Sequence, residues 1–330
     1  MTLVELMVSL AVTALVMAAA VSIFSAQHRN YVRDRSEKEV FQDTVDVLRV
    51  LQRDLLEAGW AVAPNMAFLI RDGGDNSSDE IYINDVDLID PVDDAERLVK
   101  AAACPGCLKV SSISGSTIAL EDPWEPSTNP NYVLDIDGDI KPPDNKTDID
   151  IGTYLISDAT GLDNKTGRVV SLSGTSVGID SSSLKGTLVA PAIYYCVDGG
   201  SAPCHPSGAQ ETFVLRRNDR STKGKALPIA DNVVDLQVAY QDDSGNWYGQ
   251  TGCSGSGVGS GFCERRPFEP SRIKLIRLSA VVRSPTKDKD RLADPAFCRP
   301  AVENRSAGTG PHECGYQYKV YTVLIYPRNT

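Results

Sequence analysis

Glycine and proline are missing from the first 58 residues of this 330-residue chain, because the first glycine is Gly59 and the first proline is Pro64. Nothing before Gly59 therefore breaks a helix through its backbone chemistry. Histidine is scarce as well and occurs only as His28, His205 and His312. This scarcity leaves few side chains for metal binding or for acid–base catalysis near neutral pH.

Basic residues are in the minority. The chain has 33 Lys and Arg against 44 Asp and Glu, which gives a formal net charge of −11. A surface that binds nucleic acid needs clustered cations, so no nucleic-acid partner is predicted. Hydrophobic residues make up 42% of the chain and charged residues 23%, a balance that excludes a disordered chain and a polytopic membrane protein.

Residues 1–24 form one long apolar run whose only charge is Glu5. As a helix the run would extend about 36 Å, enough to cross a hydrocarbon core of about 30 Å. A cleavable signal peptide has basic residues before its apolar run and a small-residue cleavage site after it, and this stretch shows neither pattern. An ordinary membrane anchor leaves Glu5 unexplained, because an unpaired carboxylate is costly in lipid.

Residues 25–59 have a different character, with charged side chains around a single apolar stripe. The stripe has helical spacing and consists of Phe41, Val45, Leu48, Leu51 and Leu55. Together the two segments predict one helix of about 58 residues and about 87 Å, with Gly59 at its C-terminal end. The first half of this helix is apolar on every side and needs lipid or copies of itself to cover it.

The N-terminal pattern M-T-L-V-E-L followed by a long apolar helix resembles the mature end of type IV pilins and pseudopilins. The resemblance implies that a prepilin peptidase removes a basic leader and that the new N-terminus, here Met1 in place of the usual Phe, is methylated. It also implies that Glu5 neutralises the terminal amine of a neighbouring subunit. Opposite charges brought together in an apolar core cost less than either charge alone. Met1 and Glu5 are thus the expected assembly residues.

Three later segments narrow the resemblance. Residues 227–249, which contain N-V-x-x-L-Q-x-x-Y, residues 273–287, which contain V-R-S, and residues 318–329, which end in R-N, look like the PilW-type minor pilin family. The family fold is α+β, with the long helix laid across an antiparallel sheet. The expected organisation is an apolar filament-core or transmembrane helix (1–24), its amphipathic continuation packed on the head (25–59), a β-rich head with an insertion (60–226) and the C-terminal sheet of the head (227–330).

The head is expected to consist of short strands, because runs rich in Val, Ile and Tyr alternate with Gly, Asn, Asp and Pro. The predicted strands are Glu80–Ile83, Leu108–Ile113, Thr117–Leu120, Tyr154–Ser157, Arg168–Leu172, Ile193–Val197, Thr212–Arg217, Val233–Tyr240, Ile273–Arg283 and Tyr318–Tyr326.

The eight cysteines fall into four close pairs, which are Cys104/Cys107, Cys196/Cys204, Cys253/Cys263 and Cys298/Cys314. An even count with local spacing behind a membrane-export segment predicts four disulfides in an oxidising compartment. The Cys-Pro-Gly-Cys pair leaves a redox dithiol or half of a zinc site open as alternatives. No βαβ pattern surrounds the pair, and no second close pair completes a zinc site.

Residues 135–150 carry six aspartates. Asp135, Asp137, Asp139 and Asp144 are possible ligands of Ca²⁺, which takes six to eight oxygen ligands. The spacing is not that of an EF-hand, and a solvated acidic loop is the alternative. No other cofactor is expected.

The sequence is compatible with three functions. The first is a structural subunit of an extracellular pilus-like filament, which resides in the bacterial inner membrane before assembly and whose partners are copies of itself, other pilins and the assembly machinery. The second is a low-copy minor or priming pilin, or a type II secretion pseudopilin. A membrane-tethered enzyme is disfavoured, because the sequence has no H-E-x-x-H or phosphate-binding glycine motif.

Overall fold

The computed structural model describes most of the chain. The described residues are 2–71, 73, 77–84, 104, 106–121, 149, 151–159, 164–173, 176–180, 184–198, 213–219, 226–249, 270–288, 291–309 and 313–328.

One uninterrupted helix, α1 (Leu3–Glu57), contains 55 residues and is about 82 Å long. It begins after the N-cap Thr2 and ends at the C-cap Ala58, where Gly59 takes a positive φ of 88°. The Gly59 N–H donates a hydrogen bond of 2.7 Å to the side-chain oxygen of Asn84, which fixes the helix end to the sheet. The long helix and its stop at Gly59 are confirmed.

The rest of the described chain is built of short strands joined by turns. The strands are β1 (Phe68–Arg71), β2 (Glu80–Asn84), β3 (Leu108–Ser114), β4 (Thr117–Leu120), β5 (Tyr154–Ser157), β6 (Thr166–Ser173), β7 (Ser176–Ile179), β8 (Leu188–Asp198), β9 (Val214–Asn218), β10 (Leu227–Asp231), β11 (Val233–Asp242), β12 (Trp247–Tyr248), β13 (Ile273–Arg283) and β14 (Tyr318–Ile325). Every pairing among them is antiparallel.

The larger sheet has ten strands and is organised around β8, which pairs with β2 and β3 and also with β5 and β9. From β8 the pairing runs through β3, β4, β7, β6 and β5 and returns to β8, so these six strands form a closed ring. A buried apolar cluster that includes Leu108, Ile118, Val169 and Val177 packs together in this part of the head. All six strands lie within residues 60–226, and the division of the head into an insertion and a C-terminal sheet stays a prediction.

Pro191 lies inside the central strand β8, a position that a proline normally avoids because it has no N–H to donate. On one side of β8 the partner changes at this point: β3 pairs with Leu188 and Val189, and β2 pairs from Ala192 onward. Pro191 therefore falls between two partner strands, where a missing donor leaves no ladder hydrogen bond unmade.

The smaller sheet has the order β12-β11-β13-β14. The C-terminal half of α1 contacts β10 of the larger sheet and β13 and β14 of the smaller one, so the helix joins the two sheets. Leu48, Leu51, Leu55 and Ala58 are buried in the main core at this junction. The α+β architecture predicted from the sequence is confirmed: a long N-terminal helix, apolar in its first half, packs through its second half on antiparallel sheets. The chain passes from the larger to the smaller sheet at Asn232. The strand before it, β10, pairs with β9 of the larger sheet, and the strand after it, β11, pairs with β13 of the smaller one.

Candidate functional site: the exposed helix and its junction with the head

The N-terminal half of α1 is not covered by any other described part of the chain. Residues Leu3–His28 form a 26-residue stretch whose most apolar 18 residues have a mean hydropathy of 2.4, and none of those 18 residues is buried. Leu3, Leu15 and Phe24 each expose more than two-thirds of their surface, at 77%, 73% and 71%. By length and composition alone this is one helix that could cross a membrane.

Two hydroxyl side chains within this stretch donate hydrogen bonds to the backbone of the helix itself. The hydroxyl of Ser9 donates to the carbonyl oxygen of Leu6 at 3.0 Å, and that of Thr13 donates to the carbonyl oxygen of Ser9 at 2.7 Å. Local bonds of this kind allow a polar residue to enter apolar surroundings with its donor paired. The stretch can therefore be enclosed by lipid or by other helices.

Glu5 lies in the first turn of α1 and forms a capping box with Thr2. The Thr2 N–H donates to a carboxylate oxygen of Glu5 at 2.8 Å, and the Glu5 N–H donates to the Thr2 hydroxyl at 3.4 Å. Each side chain thus satisfies a backbone donor that the helix leaves free. Both residues are exposed, so the Glu5 carboxylate is accessible to a second group. Met1, the other expected assembly residue, lies outside the described residues.

A buried charged group joins the second half of α1 to the head. Asp54 is 3% exposed and accepts a hydrogen bond of 2.6 Å from the hydroxyl of Tyr195, on the central strand β8. Arg217 on β9 donates to the same Tyr195 hydroxyl at 2.9 Å and lies 3.3 Å from the Asp54 carboxylate. Arg217 also pairs with Asp219, and Arg53 pairs with Asp54 at 3.1 Å.

Asp54 is not among the site residues predicted from the sequence. The spacing could have identified it, because Asp54 lies three residues after Leu51 and therefore on the buried stripe of the helix. Burial, with a further contribution from the Asp54 carboxylate, raises the pKa of Tyr195 well above its ordinary value. The Tyr195 hydroxyl therefore stays protonated and remains a donor throughout the neutral and mildly alkaline range.

Two of the four expected cysteine pairs are joined in the described residues, as Cys104–Cys107 and Cys298–Cys314, with Cα–Cα distances of 5.3 and 3.9 Å. Cys196 is also disulfide-bonded, and its expected partner Cys204 lies outside the described residues. Cys253 and Cys263 lie outside them as well. A disulfide at Cys104–Cys107 leaves no thiolate there for zinc.

The Cys104–Cys107 turn packs against the chain that leaves α1. Ala63 donates its N–H to the Cys104 sulfur at 3.1 Å, and Gly106 donates to the Ala61 carbonyl at 2.6 Å. A Cβ at Gly106 would come within 2.9 Å of that carbonyl oxygen, so the close approach requires glycine. The bridge therefore secures the start of β3 beside the end of the long helix.

The remaining expected site residues are not brought together by the described structure. Asp135, Asp137, Asp139 and Asp144 all lie outside the described residues, so the calcium site stays a prediction. His28 is exposed on α1 and stacks on Phe24, with ring centroids 6.5 Å apart. Among the described residues, no group of three or more His, Cys, Asp or Glu has a metal-binding arrangement.

Comparisons with known proteins give one likeness. No family model matches the chain, and no curated protein matches it. Among solved structures the chain is similar to a type IV-like pilin from Thermus thermophilus, with a TM-score of 0.32 and 10% identity over 87% of this chain and 95% of that one. At this level the likeness adds no argument to the architecture described above.

Proposed function

We propose that this protein is a structural subunit of an extracellular type IV pilus-like filament and that it polymerises through its N-terminal helix. The observation that supports the proposal is the uncovered apolar surface of Leu3–His28. An apolar surface of this extent needs a partner that excludes water. The inner membrane would supply it before assembly, and the same helices of neighbouring subunits would supply it afterwards.

In the proposed filament, Glu5 binds the terminal amine of a neighbouring subunit. In the single subunit its carboxylate accepts the Thr2 N–H, which is a local bond that another donor can replace. The terminal amine of a neighbouring subunit is a charged donor and would bind the carboxylate more strongly than a neutral N–H does. Other pilins and the assembly machinery are the further partners that this model requires.

A second candidate is a low-copy, PilW-like minor or priming subunit, or a type II secretion pseudopilin. One structural observation favours it. The three segments that resemble PilW-type pilins contain β11, β13 and β14, which are consecutive neighbours in one sheet. Most of the three segments therefore lies in one sheet, while β10, at the start of the first segment, belongs to the larger sheet. The two candidates differ in the number of copies per filament.

Substitution of Glu5 tests the assembly proposal. The Glu5→Ala variant and its control Glu57→Ala, which removes an exposed acid at the other end of α1, are expressed in place of the native protein. We expect few or no sheared filaments that contain Glu5→Ala and normal numbers for Glu57→Ala, with equal amounts of both in the membrane. Normal filaments from Glu5→Ala would refute the assembly role. Quantitative mass spectrometry of wild-type filaments then separates a main subunit from a low-copy one.

A further inference from the structure

Arg283, the last residue of β13, holds a half-buried guanidinium without a counter-ion. No carboxylate of the described residues forms an ion pair with it, and its Nε is buried without a hydrogen-bond partner. Burial lowers the pKa of Arg283 below its ordinary value, opposed only by the nearby Tyr316 and Tyr318. A desolvated charge of this kind is unfavourable unless another group compensates it.

Two aromatic rings pack on this guanidinium. Its central carbon lies 3.8 Å from the ring centroid of Phe213 and 4.2 Å from that of Tyr316. The described residues show no ring contact between Phe213 and Tyr316, so the guanidinium separates the two rings. Because Nε is buried, the two terminal nitrogens are the donors that Arg283 can offer to another group.

Backbone strain holds one of these rings in place. Phe213 has a φ of 69°, in a region that bulky residues rarely adopt. Its N–H donates to the Asp198 carbonyl at 2.6 Å, which fixes the strained turn at the start of β9. Strain at a single residue is often retained where it positions a group for binding.

The same strand carries an occupied example of this arrangement. Arg277 lies six residues before Arg283, so both side chains project from the same face of β13. Its guanidinium carbon lies 4.6 Å from the ring centroid of Trp247. Its Nε and a terminal nitrogen donate to the two carboxylate oxygens of Glu303 at 2.8 and 2.6 Å. Arg283 has the aromatic rings, and no carboxylate among the described residues pairs with it.

We propose that Arg283, between Phe213 and Tyr316, is a binding site for a carboxylate group supplied from outside the chain. A planar carboxylate can approach the edge of this guanidinium and accept two parallel hydrogen bonds from its terminal nitrogens, whereas Glu303 accepts from Nε and one terminal nitrogen of Arg277. The carboxylate belongs either to a small acid or to an acidic side chain of a neighbouring subunit.

The test is a titration of the full-length, ¹⁵N-labelled protein in non-ionic micelles at constant ionic strength. The backbone amide signals of Phe213 and Ser284 report on the site while acetate, glucuronate, glucose or chloride is added. We expect saturable shifts with acetate and with glucuronate and none with glucose or chloride. The Arg283→Gln variant should weaken acetate binding by about tenfold or more, because a charge-assisted bidentate contact is lost.

The Arg272→Gln variant is the matched control, since it removes one exposed arginine paired with Asp243 and should bind acetate as the wild type does. Equal acetate binding by wild type and Arg283→Gln, or a shift that never saturates, would overturn the proposal.

A second experiment identifies the source of the carboxylate. Sheared Arg283→Gln filaments dissociate at a lower temperature if a neighbouring subunit supplies it, and at the wild-type temperature if a small acid does. The micelle titration needs no filament, so its failure and that of the proposed function are distinguishable.

Discussion

The hydroxyl of Tyr195 lies 2.6 Å from the carboxylate of Asp54, and this hydrogen bond joins the long helix to the central strand of the larger sheet. The bond is buried, and Arg217 contacts both partners. The apolar residues Leu51 and Leu55 surround it with fully buried surface.

Removal of the Asp54 carboxylate should weaken the head. Asp54→Ala is expected to lower the free energy of unfolding by about 3 kcal/mol, because the buried Arg217 and Tyr195 each lose a partner. The control Asp46→Ala removes an exposed acid whose pair with Arg49 is on the surface, at 72% exposure, and should change stability by less than about 1 kcal/mol. Urea unfolding of both variants in micelles checks this, and equal losses would contradict a special role for Asp54.

Alkaline pH should act through the same junction. The pKa of Tyr195 is raised in the folded state by burial and by Asp54, so the folded protein holds this proton more tightly than the unfolded chain does. The contribution to stability is therefore complete below about pH 10 and is lost as the pH rises from there toward the folded-state pKa.

Tyr195→Phe is the variant that tests this dependence. It should lower stability by about 1–2 kcal/mol at pH 8, because the hydrogen bonds of the hydroxyl with Asp54 and with Arg217 are lost. Between pH 8 and pH 11 its stability should fall less steeply than that of the wild type. The variant keeps part of the pH dependence, because it still contains Tyr154 and Tyr318. Burial also raises the pKa values of these two tyrosines, that of Tyr318 to about 12. Parallel curves for variant and wild type would contradict the assignment.

The buried stripe of α1 gives a third prediction. Leu51 is fully buried, and Leu51→Ala should destabilise the protein by about 2–5 kcal/mol, because the cavity adds to the lost transfer free energy. Its neighbour Val50 is 37% exposed, and Val50→Ala should cost less than about 1 kcal/mol. Thermal unfolding of the two variants compares adjacent positions in the same helix. A similar change for both would show that the helix does not pack on the head through this stripe.

Local pattern was sufficient for much of this fold. The limits of β4, β5 and β13 match the predicted strands, because β-branched runs with turn residues at both ends define them. The predicted strands do not include β1, β7, β10 and β12, which are only two to five residues long. The predicted strand also begins at Ile193 and not at Leu188, because a proline such as Pro191 normally excludes a central strand. Only the structure shows that the partner strand changes beside Pro191.

The functional residues divide in the same way. Glu5 stands out in the sequence because a lone charge interrupts an apolar run. Arg283 does not stand out, because its two aromatic partners are distant in sequence. Tyr316 lies just before β14, and Phe213 lies just before β9 of the larger sheet. A pattern of spacing along one strand carries no information about which rings meet there in the fold.

The Cys298–Cys314 disulfide gives the last prediction, since it closes the loop that covers one face of the smaller sheet. In that loop, Arg299 and Arg305 pair with the buried Asp235 of β11 at 3.4 and 2.6 Å. The bridge spans 16 residues, and in the chain-entropy model its loss from the double variant Cys298→Ser/Cys314→Ser lowers stability by about 3 kcal/mol.

The matched variant Cys104→Ser/Cys107→Ser opens a bridge that spans only 3 residues, and the same model gives a loss of about 1.6 kcal/mol. Urea unfolding without reductant should therefore rank wild type above the Cys104/Cys107 variant and that variant above the Cys298/Cys314 variant. The ion pairs at Asp235 should keep the longer loop attached in the native state, so the loss should come from the unfolded chain. Proteolysis at low protease concentration checks this: cleavage within residues 299–309 of the folded Cys298/Cys314 variant would show that the bridge, and not the ion pairs, holds the loop on the sheet.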